Sequence, residues 1–242
     1  MTTSEVLTTP EVVRVKATRR KPLLPYKFED RMQLPAYMRI PAPYDDFIEL
    51  MIMCDYKVEY SNGDIVSILE TDRKNPNIIM GNATLTHEEI VINLAYLINL
   101  IIFRRSNYKI YGSNAKVFHT EGQPTYNPDL TVVNTKPIQR KYKHRRQTQE
   151  VLVNPSIVIE ILSQGTREYD LVEKFANYRK IESMEQIIFV EQYFTEVSSY
   201  TRLPNGTWSY TNLLKSTDEL DIANGKILLA DIYNKVDFEA AN

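Results

Sequence analysis

Two acids in strand-like contexts and a lysine downstream of them carry the first chemical signal in this chain. Asp129 follows Asn127-Pro128 and opens the run Leu130-Thr131-Val132-Val133, while Glu160 sits inside Ile157-Val158-Ile159-Glu160-Ile161-Leu162. Asp170 and Lys174 come next on a helix-like stretch, four residues apart and therefore on one side of it. If the two strands are buried neighbours, Asp129 and Glu160 converge on one divalent cation, because hard cations take carboxylate oxygens and a buried acid needs a positive partner. Two carboxylates and a lysine are what a metal-dependent phosphodiesterase requires. Each also has a plainer use: an aspartate after proline is a common turn former, and an exposed acid–lysine pair on a helix contributes little. Glu160 tips the balance, since an acid behind three apolar β-formers is costly unless ligated or paired.

The elements that must position these groups follow from periodicity. Ile157-Val158-Ile159 predicts a central strand, with Leu130–Val133 and Lys109–Phe118 as further strands and Gln186–Val190 returning to the sheet. A helix over Tyr169–Lys180 is expected to turn Leu171, Val172, Phe175 and Ala176 inward. Apolar residues recur at helical spacing from Thr84 to Arg104, with Thr84 as cap and Glu88 and Glu89 near the positive end of the dipole. His87 in its first turn reads either as a core or cap histidine or as a group that orients a phosphate or a carboxylate ligand. Lys57–Tyr60, a turn at Asn62-Gly63 and Ile65–Leu69 predict a hairpin carrying Glu59, whose role is as open as that of Asp129. Later segments, Glu196–Arg202 and Thr207–Leu213 around Asn205-Gly206, read as antiparallel additions. Residues 44–242 are thus expected to form one α/β domain, a mixed β-sheet flanked by helices.

Residues 1–43 contain Pro10, Pro22, Pro25, Pro35, Pro41 and Pro43, a spacing that predicts an extended arm without a core of its own. Leu23, Leu24, Tyr26, Phe28, Met32, Leu34, Tyr37 and Met38 are its apolar anchors, expected to lie across another subunit and so make a homodimer.

Composition narrows the chemistry. In 242 residues, 43% hydrophobic content suffices for a substantial core, and the single Cys54 excludes an internal disulfide framework. Three histidines, His87, His119 and His144, argue against a histidine-rich zinc site and leave an oxygen-seeking metal. The first residues lack the basic and apolar pattern of a secretory signal, and no long uninterrupted apolar stretch stands out, so a cytoplasmic protein without membrane association is expected. A formal net charge of -2 argues against a protein that coats nucleic acid but allows a local basic groove. Arg14, Lys16, Arg19, Arg20 and Lys21 form one basic cluster. Arg140, Lys141, Lys143, Arg145 and Arg146 form another between the two acid-bearing strands, either as solvated loop or as the phosphate-contacting, nucleic-acid-binding surface.

At these residues the sequence resembles the PD-(D/E)xK superfamily of restriction-endonuclease-like folds, and more closely the bacterial Uma-type family. The resemblance runs from Phe47 to Val190. It includes Glu59 with Gly63, His87, Asn127-Pro128-Asp129, Val158 to Ser163, and Thr166, Asp170, Lys174 and Tyr178. It implies a restriction-endonuclease-like mixed sheet with flanking helices, Mg2+ with Mn2+ as a substitute, and DNA as substrate. Asp129 and Glu160 are then the metal ligands, Glu59 and Lys174 the other catalytic residues, and His87 and Asp170 supporting groups. The chain departs from the superfamily's simplest pattern at Leu162, where a lysine would stand; Lys174 would supply the amine from the adjacent helix, as in the Uma-type family. It departs again at Gln164, where that family usually has proline after the serine. These departures support a rival expectation: a nuclease fold that binds nucleic acid or scaffolds without turnover.

Overall fold

Strands alternate between two sheets along the chain, and one link between the sheets carries Asn127 and Asp129. The computed structural model describes residues 12–14, 21–71, 83–105, 107–118 and 124–238. One sheet holds β1 (Val12–Arg14), β2 (Tyr37–Pro41), β3 (Glu59–Ser61), β4 (Asp64–Ile68), β6 (Lys116–Phe118), β7 (Thr125–Tyr126), β9 (Gln139–His144) and β10 (Gln147–Leu152). Their spatial order is β1-β9-β10-β6-β7-β3-β4-β2. The other holds β5 (Lys109–Gly112), β8 (Leu130–Val133), β11 (Ile157–Leu162), β12 (Gln186–Glu191), β13 (Val197–Arg202) and β14 (Trp208–Leu213), in the order β14-β13-β12-β11-β8-β5. β15 (Glu219–Ile222) and β16 (Gly225–Leu228) form a separate hairpin. The helices are α1 (Phe28–Arg31), α2 (Tyr44–Met53), α3 (Leu85–Ile102), α4 (Phe175–Tyr178) and α5 (Leu229–Ile232), with a π-helical turn, Tyr169–Lys174, leading into α4. The fold is mixed α/β.

β11 lies inside its sheet, parallel to β12 and antiparallel to β8. Its side chains alternate between two apolar layers, as the period of a strand requires. Ile157, Ile159 and Ile161 meet Ile90, Leu94, Ile98 and Ile102 of α3, whereas Val158 and Leu162 meet Tyr169 and Tyr178 on the other face. Glu160 therefore points toward the π-helical turn. By length and composition α3 could cross a membrane, with a mean hydropathy of 1.4. Its buried stripe against the sheet makes it a core helix.

Three expectations are corrected. Lys109–Phe118 is two strands in different sheets, β5 and β6, separated at Ser113-Asn114 where the turn residues allow the chain to cross. The segment after Glu168 buries Tyr169, Asp170, Lys174, Asn177 and Tyr178 most deeply; Leu171 and Phe175 pack against the core as expected but only partly buried, and Val172 is exposed. π-winding brings the polar side, Asp170 and Lys174, inward alongside Leu171 and Phe175 and leaves Val172 outside. The described part of residues 1–43 is not free of regular structure: β2 pairs β4 at the sheet edge, where Pro41 removes no needed ladder bond. Leu23, Leu24, Tyr26, Leu34 and Met38 pack in a core cluster of their own chain, so those anchors are already covered within the protomer.

Arg31 fastens that segment. It is fully buried, and its guanidinium donates to Ser67 Oγ at 2.9 Å, Pro35 O at 2.8 Å, and Ala36 O and Ser67 O at 2.9 Å each. Replacing it by leucine leaves several buried acceptors unpaired and is expected to cost about 2–4 kcal/mol in urea unfolding. An unchanged unfolding midpoint would show that the fork does not hold β4 to this segment.

Candidate active site

The junction Asn127-Pro128-Asp129 carries the chain from β7 in one sheet to β8 in the other. Asn127 fixes the crossing: its N–H donates to Glu59 Oε1 at 2.7 Å, its Nδ2 to Val58 O at 3.3 Å, and its Oδ1 accepts from Lys116 Nζ at 2.7 Å. The β8–β11 register pairs Leu130 with Ile159, so one step further sets Asp129 opposite Glu160. The Ile161 N–H donates to Asp129 Oδ2 at 2.9 Å and holds that carboxylate over β11. Glu59 reaches the same place from β3, His87 from the start of α3, and Asp170 and Lys174 from the π-helical turn.

These six side chains meet in one cavity of about 1050 Å³. Lys174 stands among three carboxylates, 3.3 Å from Glu59 Oε1, 3.2 Å from Glu160 Oε1 and 2.9 Å from Asp170 Oδ1. Burial pulls the ammonium toward the neutral form, but Asp170, Glu160 and Glu59 outweigh it and hold its pKa well above the usual lysine range. Tyr178 OH donates to Glu160 Oε1 at 2.6 Å, and the rings of Tyr169 and Tyr126 lie 5.5 and 5.9 Å from the ammonium. Burial raises Glu160 well above the normal glutamate range; Lys174 opposes this, and the charges of Asp170, Asp129 and Glu59 add to it. Burial likewise lifts Asp170 to about 6 against the pull of Lys174.

Asp129 has a different partner. His87 Nε2 lies 3.3 Å from Asp129 Oδ2, and the α3 cap fixes the histidine's backbone, because Thr84 Oγ1 accepts from the His87 N–H at 3.1 Å. Thr84 Oγ1 donates in turn to Gln192 Oε1 at 2.7 Å, tying the helix start to the end of β12. Burial lowers the His87 pKa, but the hydrogen bond to Asp129 and its charge prevail and raise it; burial raises Asp129, but His87, Lys57 and the Ile161 N–H prevail and lower it. A histidine with a raised pKa stabilises the fold fully below its unfolded value, near 6.5, and loses that contribution as pH rises through the folded value. A lowered aspartate stabilises above about 3.8 and loses it as pH falls through the folded value. The stability difference between the metal-free wild type and His87→Gln is therefore expected to reach about 1–3 kcal/mol between pH ~4 and ~6.5 and to shrink above that. A difference that grows toward pH 8 in thermal unfolding would sink the pairing.

Among the described residues no three His, Cys, Asp or Glu side chains are arranged as a group that could hold a metal ion. Lys174 pairs with Glu59, Glu160 and Asp170, and His87 with Asp129.

Arg140, Lys141, Lys143, Arg145 and Arg146 are on β9 and the tight turn to β10, not in a loop, and none lines the cavity. Lys141 pairs with Glu150 at 2.6 Å, and Arg140 lies over the Phe118 ring at 5.1 Å. Arg145 takes a φ of 52° in the turn. Sequence reasoning missed Lys116, whose buried ammonium is pushed down to about 8 by desolvation and which positions Asn127. It also missed Glu70, which accepts from Ser163 Oγ at 2.5 Å and holds the turn after β11. A lysine directly ahead of Val117-Phe118 in a strand was the one available signal for Lys116.

The comparisons with known proteins agree with this architecture. Over 171 residues the chain is 26% identical to "Uncharacterized protein sll1609" of Synechocystis sp., covering 71% of this chain and 86% of that protein. A crystal structure described as a "putative nuclease belonging to DUF820" from Anabaena variabilis superposes with a TM-score of 0.57 at 14% identity, over 83% of this chain and 99% of that one, a likeness of fold alone. The profile of the Uma2 family, described as "Putative restriction endonuclease", matches residues 45–225, which include all six cavity side chains. The chain belongs to the Uma2 family, within the PD-(D/E)xK-like restriction endonuclease superfamily, and its mixed sheets with flanking helices are consistent with that superfamily's fold.

Proposed function

We propose that this protein is a metal-dependent deoxyribonuclease that hydrolyses DNA phosphodiester bonds. The observation that carries the reading is the placement of Asp129 and Glu160 across adjacent strands, with Lys174 beside them in a cavity. The donor set fits Mg2+ or Mn2+: it consists of hard carboxylate oxygens, and it is over-supplied with negative charge, since burial and its acidic neighbours drive the Glu160 pKa up even beside a lysine. Asp129 and Glu160 would hold the ion. When bound, such an ion polarises a phosphoryl oxygen and makes water a stronger nucleophile at neutral pH.

The chain's own residues supply the rest. Lys174 orients the nucleophile and offsets charge that develops on the phosphate in the transition state. Asp170 holds the lysine, Tyr178 holds Glu160, and Glu59 completes the acidic pocket through its bond to the Asn127 N–H. His87 keeps Asp129 ionised and oriented. The basic residues of β9 and its turn would contact phosphates outside the cavity.

A second reading is favoured by one observation. Lys174 already neutralises part of the acid cluster from within, as a domain that binds nucleic acid without cutting it would need. Supercoiled, linear, branched and single-stranded DNA incubated with magnesium or manganese separates the two. Cleavage that needs the ion and is lost in Asp129→Asn supports the nuclease. Salt-sensitive DNA binding by folded protein, with no magnesium affinity and no cleavage of any substrate, supports the second reading.

A further inference from the structure

We infer that the outward face of α3 is a docking surface for a second copy of this chain, paired antiparallel about a two-fold axis at Tyr96. Five large apolar residues of this helix are open to solvent: Leu85 is 82% exposed, Ile92 64%, Tyr96 61%, Leu100 58% and Phe103, just past its end, 77%. At about 100° per residue they fall within roughly 80° of one another. The opposite stripe, Ile90, Leu94, Ile98 and Ile102, is buried in the core. α3 is thus apolar on two sides, and among the described residues only one of them is covered.

The pattern along the open face is self-complementary. A two-fold axis at Tyr96 brings Ile92 of one copy against Leu100 of the other and sets the two Tyr96 rings together. The same operation places Glu89 beside Arg104, seven and eight residues from the axis on opposite sides of it. Both are exposed, and neither forms an ion pair with the described residues of its own chain. A parallel arrangement would instead stack like charges at each end. The face offers on the order of 600 Å² of apolar surface per copy, somewhat below the roughly 800 Å² per partner of a standard stable interface and at the upper end of what a monomer ordinarily leaves open. His87 lies nine residues from the axis, so the pairing sets the two His87 backbones about 27 Å apart along the helices; Leu85, at the far end of the face, also lines the cavity.

Sedimentation velocity on the full chain at about 50 μM, a concentration that fills a micromolar dimer, tests this directly. The wild type is expected to sediment as a dimer, and Ile92→Glu/Leu100→Glu as a folded monomer whose unfolding midpoint no longer depends on protein concentration. Arg104→Glu is expected to weaken the dimer, and adding Glu89→Arg to restore it. In a Cys54→Ser background, Tyr96→Cys is expected to form covalent dimers on mild oxidation at least ten times faster than Leu214→Cys, another exposed position on β-sheet-flanking chain. A wild-type monomer overturns the inference, whether or not that monomer binds phosphatidylcholine vesicles. So does a dimer that survives the double glutamate variant, or Tyr96→Cys cross-linking no faster than Leu214→Cys.

Discussion

Lys174→Met is expected to destabilise the protein by about 3–5 kcal/mol at pH 7, because it leaves Glu59, Glu160 and Asp170 buried around an apolar side chain. The lysine itself is 5% exposed, so its charge is little screened by solvent. pH supplies the second signature. Glu160 and Asp170 have folded pKa values above their unfolded ones, so keeping them buried and charged costs more as pH rises from the unfolded values through the folded ones. Removing the ammonium pushes both values higher still. The gap between wild type and variant in urea unfolding should therefore narrow from pH 7 to pH 5, where the acids can take up protons. A variant as stable as the wild type at pH 7 would mean that the ammonium does not hold this cluster together.

Glu160→Gln is expected to separate stability from activity. Glutamine keeps the size of the side chain and an oxygen for Tyr178, and it removes a negative charge that burial makes costly. Lys174 keeps Asp170 and Glu59 as partners, so the unfolding free energy at pH 7 should stay within about 1 kcal/mol of wild type or rise above it. Under the proposed function, DNA cleavage with magnesium should fall by at least ~10³-fold, since a neutral amide neither holds a divalent cation as a carboxylate does nor balances Lys174 during the reaction. Both quantities come from one protein preparation: urea unfolding by circular dichroism and single-turnover cleavage of labelled DNA. Full-rate cleavage by the variant would remove Glu160 from the centre. A large loss of stability with it would instead show that the acid's main work is structural.

Several features of the fold were legible before any coordinates. The consecutive β-branched residues of Ile157–Ile159 predict a strand covered on both faces, and β11 is one. The helical spacing of Val91, Leu94, Ala95, Ile98, Ile101 and Ile102 predicts α3, and Thr84 caps it; the fully buried stripe is Ile90, Leu94, Ile98 and Ile102. Asn62-Gly63 predicts a tight hairpin, and both residues take positive φ, 53° and 93°, as a two-residue turn of this kind requires. These are local rules: each depends on residues within a few positions of one another, and neighbouring side chains alone can satisfy them.

The residues that could do chemistry were also legible as types and spacings, because a buried acid in an apolar strand and an acid–lysine pair four apart on a helix stand out from their own surroundings. What surrounds them was not. That Lys174 faces three acids rather than Asp170 alone depends on β3 bringing Glu59 across from the other sheet and on π-winding that turns the polar side of residues 169–174 inward. That residues 23–38 pack within their own protomer depends on Arg31 reaching Ser67, 36 residues further along the chain. Lys116, Asn127 and Glu59 are linked across sequence separations of 11 and 68 residues, which no periodicity encodes. The chain order by itself determined which segments are strands and helices and where the acids sit on them, because those are decided by local sterics and alternation. Only the tertiary structure decided which charges share one low-dielectric space, and that sharing sets their protonation and their possible chemistry.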